Sequence, residues 1–190
     1  MKQSLVSFFK TGPNQPIRDV REPAVKRQYE ISRWSVFLST TIGYGFFYTT
    51  RLSLSVAKKP MLDNGILTAD QMGKVGFVLL FVYAFGKFIN GFLADHSNIR
   101  RFMSMALLTS AVINILFGFT SLFWAFMVLW AINGWVQSIG SAPSVVSLCQ
   151  WFSNRERGTR YGIWAASHSI GEGLTFVGTA SLVSLFGWRW

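Results

Sequence analysis

Apolar residues fall into five long blocks along the chain, separated by short polar connections. The blocks cover about 34–57, 71–93, 102–119, 122–151 and 161–186. A helix needs about 20 mostly apolar residues, within a range of roughly 17 to 25, to cross a hydrocarbon core, so the pattern predicts five transmembrane helices. The connections carry turn chemistry. Lys58-Lys59-Pro60 and Asp63-Asn64-Gly65 read as a loop after the first helix. Thr68, with Gln71 three residues on, reads as a capping box opening the second. The stretch 95–101 is a short polar link, Thr120-Ser121 a tight turn, and 153–160 a second basic turn. Residues 1–33 form a basic polar tail without a signal-peptide core, which leaves 34–190 as the membrane domain, ending on Gly187-Trp188-Arg189-Trp190.

Composition agrees with the pattern. With 51% hydrophobic, 16% aromatic and only 14% charged residues, the chain reads as an all-α membrane protein. The net charge of +10 raises nucleic acid as a partner. A nucleic-acid binder concentrates its cations on a soluble face, whereas here they sit between apolar blocks, and the lipid bilayer is the partner instead. The tail (Lys2, Lys10, Arg18, Arg21, Lys26, Arg27, Arg33, against Asp19, Glu22 and Glu30), the Asp95 link and the Arg155 turn together hold most of the 18 lysines and arginines. Cytoplasmic loops carry such an excess, so the N-terminus is expected in the cytoplasm. The single Cys149 excludes an intrachain disulfide and a multi-cysteine metal site, and reads as a packing residue. No nucleophile and base pair, metal-ligand cluster or phosphate-cradling glycine loop is present, so neither an enzyme nor a cofactor is expected.

The candidate chemistry lies inside the blocks. Arg51 interrupts the first one, and an arginine at mid-helix costs about 2.5 to 3.5 kcal/mol on translocon scales. Tyr44, Tyr48 and Arg51 share a face by helical spacing. Such a cation either binds an anion in a protein cavity, or snorkels to the interface, or pairs with a carboxylate on another helix. The second block contains Lys87, with Tyr83 one turn before and Asn90 one turn after; it reads as a ligand cation or a snorkelling one. The fifth contains His168 and Glu172. His168 reads as a ligand or as a neutral helix-bridging group. Asn133, Gly134, Gln137, Gly140 and Pro143 in the fourth suit close packing or a lined cavity rather than lipid.

Gly91-Phe92-Leu93-Ala94-Asp95 followed by Arg100-Arg101 resembles the loop between the second and third helices of the major facilitator superfamily. There the glycine permits close helix contact and the aspartate accepts charge-assisted hydrogen bonds from basic groups at neighbouring helix ends. Within that superfamily, the chain is similar to the organophosphate:phosphate antiporters, which include glycerol-3-phosphate and hexose-phosphate transporters and a transporter-like hexose-phosphate sensor. The similarity rests on Gly43-Tyr44 through Tyr48 to Arg51; Tyr83 and Lys87-Phe88-Ile89; Asp95-His96-Ser97-Asn98; Asn114-Ile115-Leu116-Phe117-Gly118-Phe119; Trp151-Phe152-Ser153 with Glu156-Arg157-Gly158; and Trp164 with His168.

The resemblance implies an N-terminal six-helix bundle cut at the start of its sixth helix, in a multi-pass protein of the inner membrane. It implies that Arg51 binds substrate phosphate, that Lys87 and His168 belong to the same substrate-binding site, that Tyr48 and Tyr83 line it with Trp164 beside them, and that Gly91, Asp95, Arg100, Arg101, Glu156 and Arg157 belong to loop motifs that serve conformational change. It further implies a sugar phosphate, more specifically a hexose phosphate, exchanged for inorganic phosphate by alternating access, with a missing C-terminal half or a second chain as partner. A sensor of sugar phosphate and an inactive fragment of a split gene are the alternative readings. The chain departs from the family pattern in having Leu52 for lysine, His96 for arginine and Gly140-Ser141-Ala142-Pro143 for Gly-Trp-Pro-Pro. Glu172 stands where the family has glycine. It is expected to pair with Arg51, to stay protonated, or to pair with a helix outside this chain.

Overall fold

The computed structural model describes residues 8–12 and 22–189; the readings on Lys2, Arg18, Asp19, Arg21 and Trp190 lie outside the described residues. The chain folds into α1 (Pro23–Asp63), α2 (Ala69–Asp95), α3 (Ile99–Phe119), α4 (Phe123–Gln137), α5 (Ser141–Trp151) and α6 (Asn154–Phe186). Of these, α2, α3 and α6 are long and apolar enough to cross a membrane by length and composition alone. The longer α1 is diluted by Ser, Thr and Tyr, and α4 and α5 are individually short.

Helix ends differ from the sequence pattern where local chemistry overrides it. α1 begins with Pro23 in its first turn, where a missing N–H costs nothing, and its 41 residues run through Pro60. The expected loop at Lys58-Lys59-Pro60 is therefore helical. Asn64 and Gly65 stop the helix instead: Asn64 donates from Nδ2 and from its backbone N–H to the Pro60 carbonyl at 2.7 and 3.0 Å, and Gly65 turns with φ +66. That left-handed angle is one glycine adopts without strain.

The capping box of α2 forms as read, the Gln71 N–H donating to Thr68 Oγ1 at 3.2 Å and the Thr68 N–H to Gln71 Oε1 at 3.0 Å. The basic stretch 153–160 is not a turn but the start of α6, with Ser153 as its N-cap residue. The fourth block divides into α4 and α5. At the break Ser138, Ile139 and Gly140 bond back three residues, to Trp135, Val136 and Gln137 at 3.1 to 3.2 Å. Pro143 has no N–H with which to carry the α ladder across, and this accounts for the break.

Tertiary packing pairs α1 with α6 and α2 with α4. Glycines set both contacts. A Cβ at Gly171 of α6 would lie 2.6 Å from the Gly45 carbonyl oxygen of α1, and one at Gly134 of α4 would lie 2.5 Å from that of Leu79. Small residues let backbones approach in this way without a hydrophobic driving force from water. Gly91, expected to make such a contact, faces open space, and the close contact on α2 is made five residues earlier, by Gly86 against Ser138.

A buried polar network joins α1, α3 and α4. Ser110 Oγ donates to Asn133 Oδ1 at 2.6 Å, and Gln137 Nε2 donates to Ser110 Oγ at 2.9 Å and Thr50 Oγ1 at 2.8 Å. Asn114 Nδ2 donates to the Thr50 carbonyl at 2.8 Å, and Asn114 Oδ1 accepts from Ser53 Oγ at 2.9 Å. The fourth-block polar residues Asn133 and Gln137 thus serve packing, and they fix α1 at the residue before Arg51. At the other end of the bundle, Phe8 to Lys10 lie across the α2–α3 link. The Asn98 N–H donates to the Phe9 carbonyl at 2.7 Å, Arg101 Nη1 to the Phe8 carbonyl at 2.9 Å, and Lys10 pairs with Ser97 in an antiparallel bridge.

Candidate anion-binding site

The geometry of α1, α2 and α6 brings seven of the residues singled out in the sequence onto one face. Arg51 lays its guanidinium over the Tyr83 ring of α2, 3.9 Å from the centroid, and stands 5.8 Å from the Tyr48 ring. The Lys87 ammonium approaches the same Tyr83 ring at 5.5 Å. From α6, His168 reaches the Tyr48 ring at 5.2 Å, and Trp164 stacks on Tyr44 at 4.4 Å. Tyr44 bridges the two groups, edge-on to Tyr48 at 5.4 Å and 6.5 Å from His168. Its phenol completes the face, and helical spacing had already placed it there.

Tyr83 holds two cations without neutralising them. A cation over an aromatic face gains roughly 0.5 to 2 kcal/mol, rising as water is excluded, yet the guanidinium edge keeps its N–H donors available. No carboxylate lies within ion-pairing distance of Arg51 or Lys87 among the described residues. Arg51, Tyr48, Tyr83 and His168 are half-buried, Lys87 is exposed and Trp164 is buried, so the face is an open half-cavity. Buried Trp164 Nε1 has no hydrogen-bond partner. A planar donor fork, an ammonium and phenol hydroxyls together suit a phosphate, which carries about 1.5 to 2 negative charges near neutral pH.

Glu172 does not form the expected ion pair with Arg51. The close approach at Gly45 and Gly171 turns Thr49 toward α6, where Thr175 donates to its hydroxyl at 3.1 Å. Arg51, two positions on, is rotated about 200° away, toward α2. Glu172 itself is half-buried without an ion pair among the described residues.

The loop motifs divide. Glu156 accepts from Arg33 Nη2 at 2.6 Å, tying α6 to α1, and Arg33 also reaches Glu30 at 3.5 Å. Arg157 donates to the carbonyls of Cys149 and Phe152 at 3.0 and 3.2 Å and so closes the C-terminal end of α5. Arg101 is engaged by the Phe8 carbonyl and ring. Asp95 and Arg100 line a cavity of about 650 Å³ between α1 and α3, and Asp95 has no salt-bridge partner among the described residues. Cys149 is exposed rather than packed, because it falls in the last turn of α5. Sequence reasoning missed Arg160, whose guanidinium stacks on Trp34 at 4.4 Å; only the packing of α6 on α1 brings that pair together.

The family model described as Major Facilitator Superfamily matches residues 36–190, most of the chain. The chain belongs to the major facilitator superfamily. It is 36% identical over 186 residues to the membrane sensor protein UhpC of Salmonella typhimurium, covering 97% of this chain and 42% of that protein. It is 37% identical over 174 residues to a probable hexose phosphate transport protein of Chlamydia trachomatis, covering 91% of this chain and 38% of that one. The chain thus spans about two fifths of the length of these relatives. In fold it resembles a bacterial homolog of the human lysosomal transporter Spinster in an inward-facing, unoccupied conformation, with a TM-score of 0.68, 17% identity, and coverage of 83% of this chain and 37% of that one. As a superfamily member with membrane-spanning helices, the protein is integral to the membrane and is not an enzyme.

Proposed function

We propose that the chain is the N-terminal portion of a sugar-phosphate transporter, with a hexose phosphate as substrate, which exchanges it for inorganic phosphate by alternating access. The observation that carries this reading is the unneutralised pair of cations, Arg51 and Lys87, sharing the face of Tyr83 beside Tyr48 and His168. Similarity to a probable hexose phosphate transport protein supports the substrate class. In transporters of this kind the site lies near mid-membrane between two halves, one of which rocks against the other. A cationic site is costly to reorient empty, and a bound phosphate species lowers that cost, which favours exchange over one-way passage. The opposing wall of the site then comes from a C-terminal half or a second chain.

A sensor is the second reading, favoured by 36% identity to a membrane sensor over nearly the whole chain. Transport assays separate the two. Vesicles holding residues 1–190 alone are expected to show no sugar-phosphate-dependent phosphate exchange above empty vesicles, since half of the cavity wall is lacking. Vesicles in which a C-terminal half completes the bundle are expected to exchange the two, and binding without exchange would favour the sensor.

The N-terminus, the Asp95 link and the start of α6 lie in the cytoplasm of an inner-membrane protein in this reading. His96 is exposed, whereas Ser97 is covered by the bridge to Lys10. In a Cys149→Ser background, His96→Cys is expected to resist an impermeant thiol reagent added to intact cells and to react once the membrane is opened. Labelling in intact cells would invert the topology.

A further inference from the structure

The Arg51 side of the site continues into a cavity of about 240 Å³ that runs toward the end of the bundle opposite the Asp95 link. Arg51 lies at one end of its wall, Ser55 in the middle and Lys58 at the other end, with Gly76 and Leu80 of α2 and Trp130 of α4 closing the sides. Positions 51, 55 and 58 share one helical face, and seven residues of α-helix separate the two cations by about 10 Å along the axis. This wall exists only because α1 continues as a helix through Lys58 and Pro60; a loop there would have released Lys58 from the face.

Lys58 has no ion pair among the described residues, and no carboxylate lines the cavity. Asp70, in the first turn of α2, is held by Lys74 at 2.6 Å. At about 30 Å³ per water in the liquid, the space admits a phosphate with part of its hydration shell.

We propose that Lys58 and Ser55 form a second, outer station for phosphate-bearing anions, from which the phosphate group passes along the cavity wall to Arg51. The inference rests on the reading of Arg51 as a phosphate ligand. Lys58 is exposed at the mouth, so its contribution is electrostatic capture in a partly hydrated setting, weaker than the planar contact at Arg51 and sensitive to salt. Gly76 matters as a lining position without a side chain: a Cβ there meets nothing within 4 Å, so the glycine leaves room in the cavity.

The test uses inorganic phosphate titrated into the chain completed by a C-terminal half, in lipid nanodiscs, at two salt concentrations. Lys58→Gln is expected to weaken binding about three- to ten-fold and to flatten its salt dependence. Lys58→Arg is expected to restore both. Gly76→Leu keeps every charge and fills the space beside Ser55 and Lys58 that the anion would occupy, and a matching loss of affinity is expected. Arg51→Gln is the control for the underlying reading and is expected to abolish binding. Loss in Arg51→Gln with unchanged affinity and salt dependence in Lys58→Gln overturns the outer station and leaves the Arg51 site standing. Undiminished binding in Arg51→Gln, or no phosphate binding by the unaltered chain, overturns both.

Discussion

In a transporter completed by a C-terminal half, replacing Arg51 by lysine is expected to weaken phosphate binding about ten- to a hundred-fold although the charge is kept. The guanidinium carbon lies 3.9 Å from the Tyr83 ring centroid, so the ring holds the side chain at the site. A planar fork offers two parallel hydrogen bonds to a phosphate, whereas an ammonium offers a point charge on a flexible stem. Losing one charge-assisted hydrogen bond costs roughly 1.5 to 3 kcal/mol, which is that fold-change in affinity. Isothermal titration of the two forms with inorganic phosphate checks it. Equal affinities would mean that Arg51 holds α1 against α2 and does not grip a ligand.

Gly171→Leu is expected to separate α1 from α6 and to lower the thermal stability of the bundle in nanodiscs, by an amount on the order of 2 to 3 kcal/mol, the upper part of the range for overpacking. The Cβ alone would stand 2.6 to 3.1 Å from three backbone atoms of Gly45, and backbone cannot swing aside as a side chain can. The same displacement would pull Trp164 off Tyr44 and His168 away from Tyr48, so phosphate affinity is expected to fall together with stability. Gly173, two residues on, faces open space, and Gly173→Leu is the matched control, expected to leave both unchanged. Unaltered melting of the Gly171 variant would show that this contact does not set the helix spacing.

The reach of sequence reasoning follows the range of the forces involved. Helix formation within the apolar blocks, the Thr68 cap and the shared face of Tyr44, Tyr48 and Arg51 depend on residues within about two turns of each other. Spacing alone therefore settles them. The need to explain Arg51 and Lys87 also comes from sequence, because a cation inside an apolar run is costly wherever the neighbouring helices lie.

Helix ends lie at the edge of that range. Pro60 and the stretch 153–160 read as breaks, yet both are helical, since α1 stops at the Asn64-Gly65 chemistry and α6 begins at Ser153. The gap between α4 and α5 emerges from the missing N–H of Pro143, inside what hydropathy reads as one block.

What only the tertiary structure decided is the azimuth of one helix against the next. The chain carries glycines at 45, 86, 91, 134 and 171, and nothing local distinguishes Gly86, which is in contact, from Gly91, which is not. The same holds for Glu172: sequence places it one turn beyond His168, but the Gly45 and Gly171 contact turns Arg51 to Tyr83 and leaves the expected pair unmade. The lie of Phe8 and Phe9 across the α2–α3 link and the cavity wall joining Arg51 to Lys58 have the same origin. Each depends on where one element comes to rest against another, and that is fixed by the summed packing of all the helices rather than by any stretch of the chain alone.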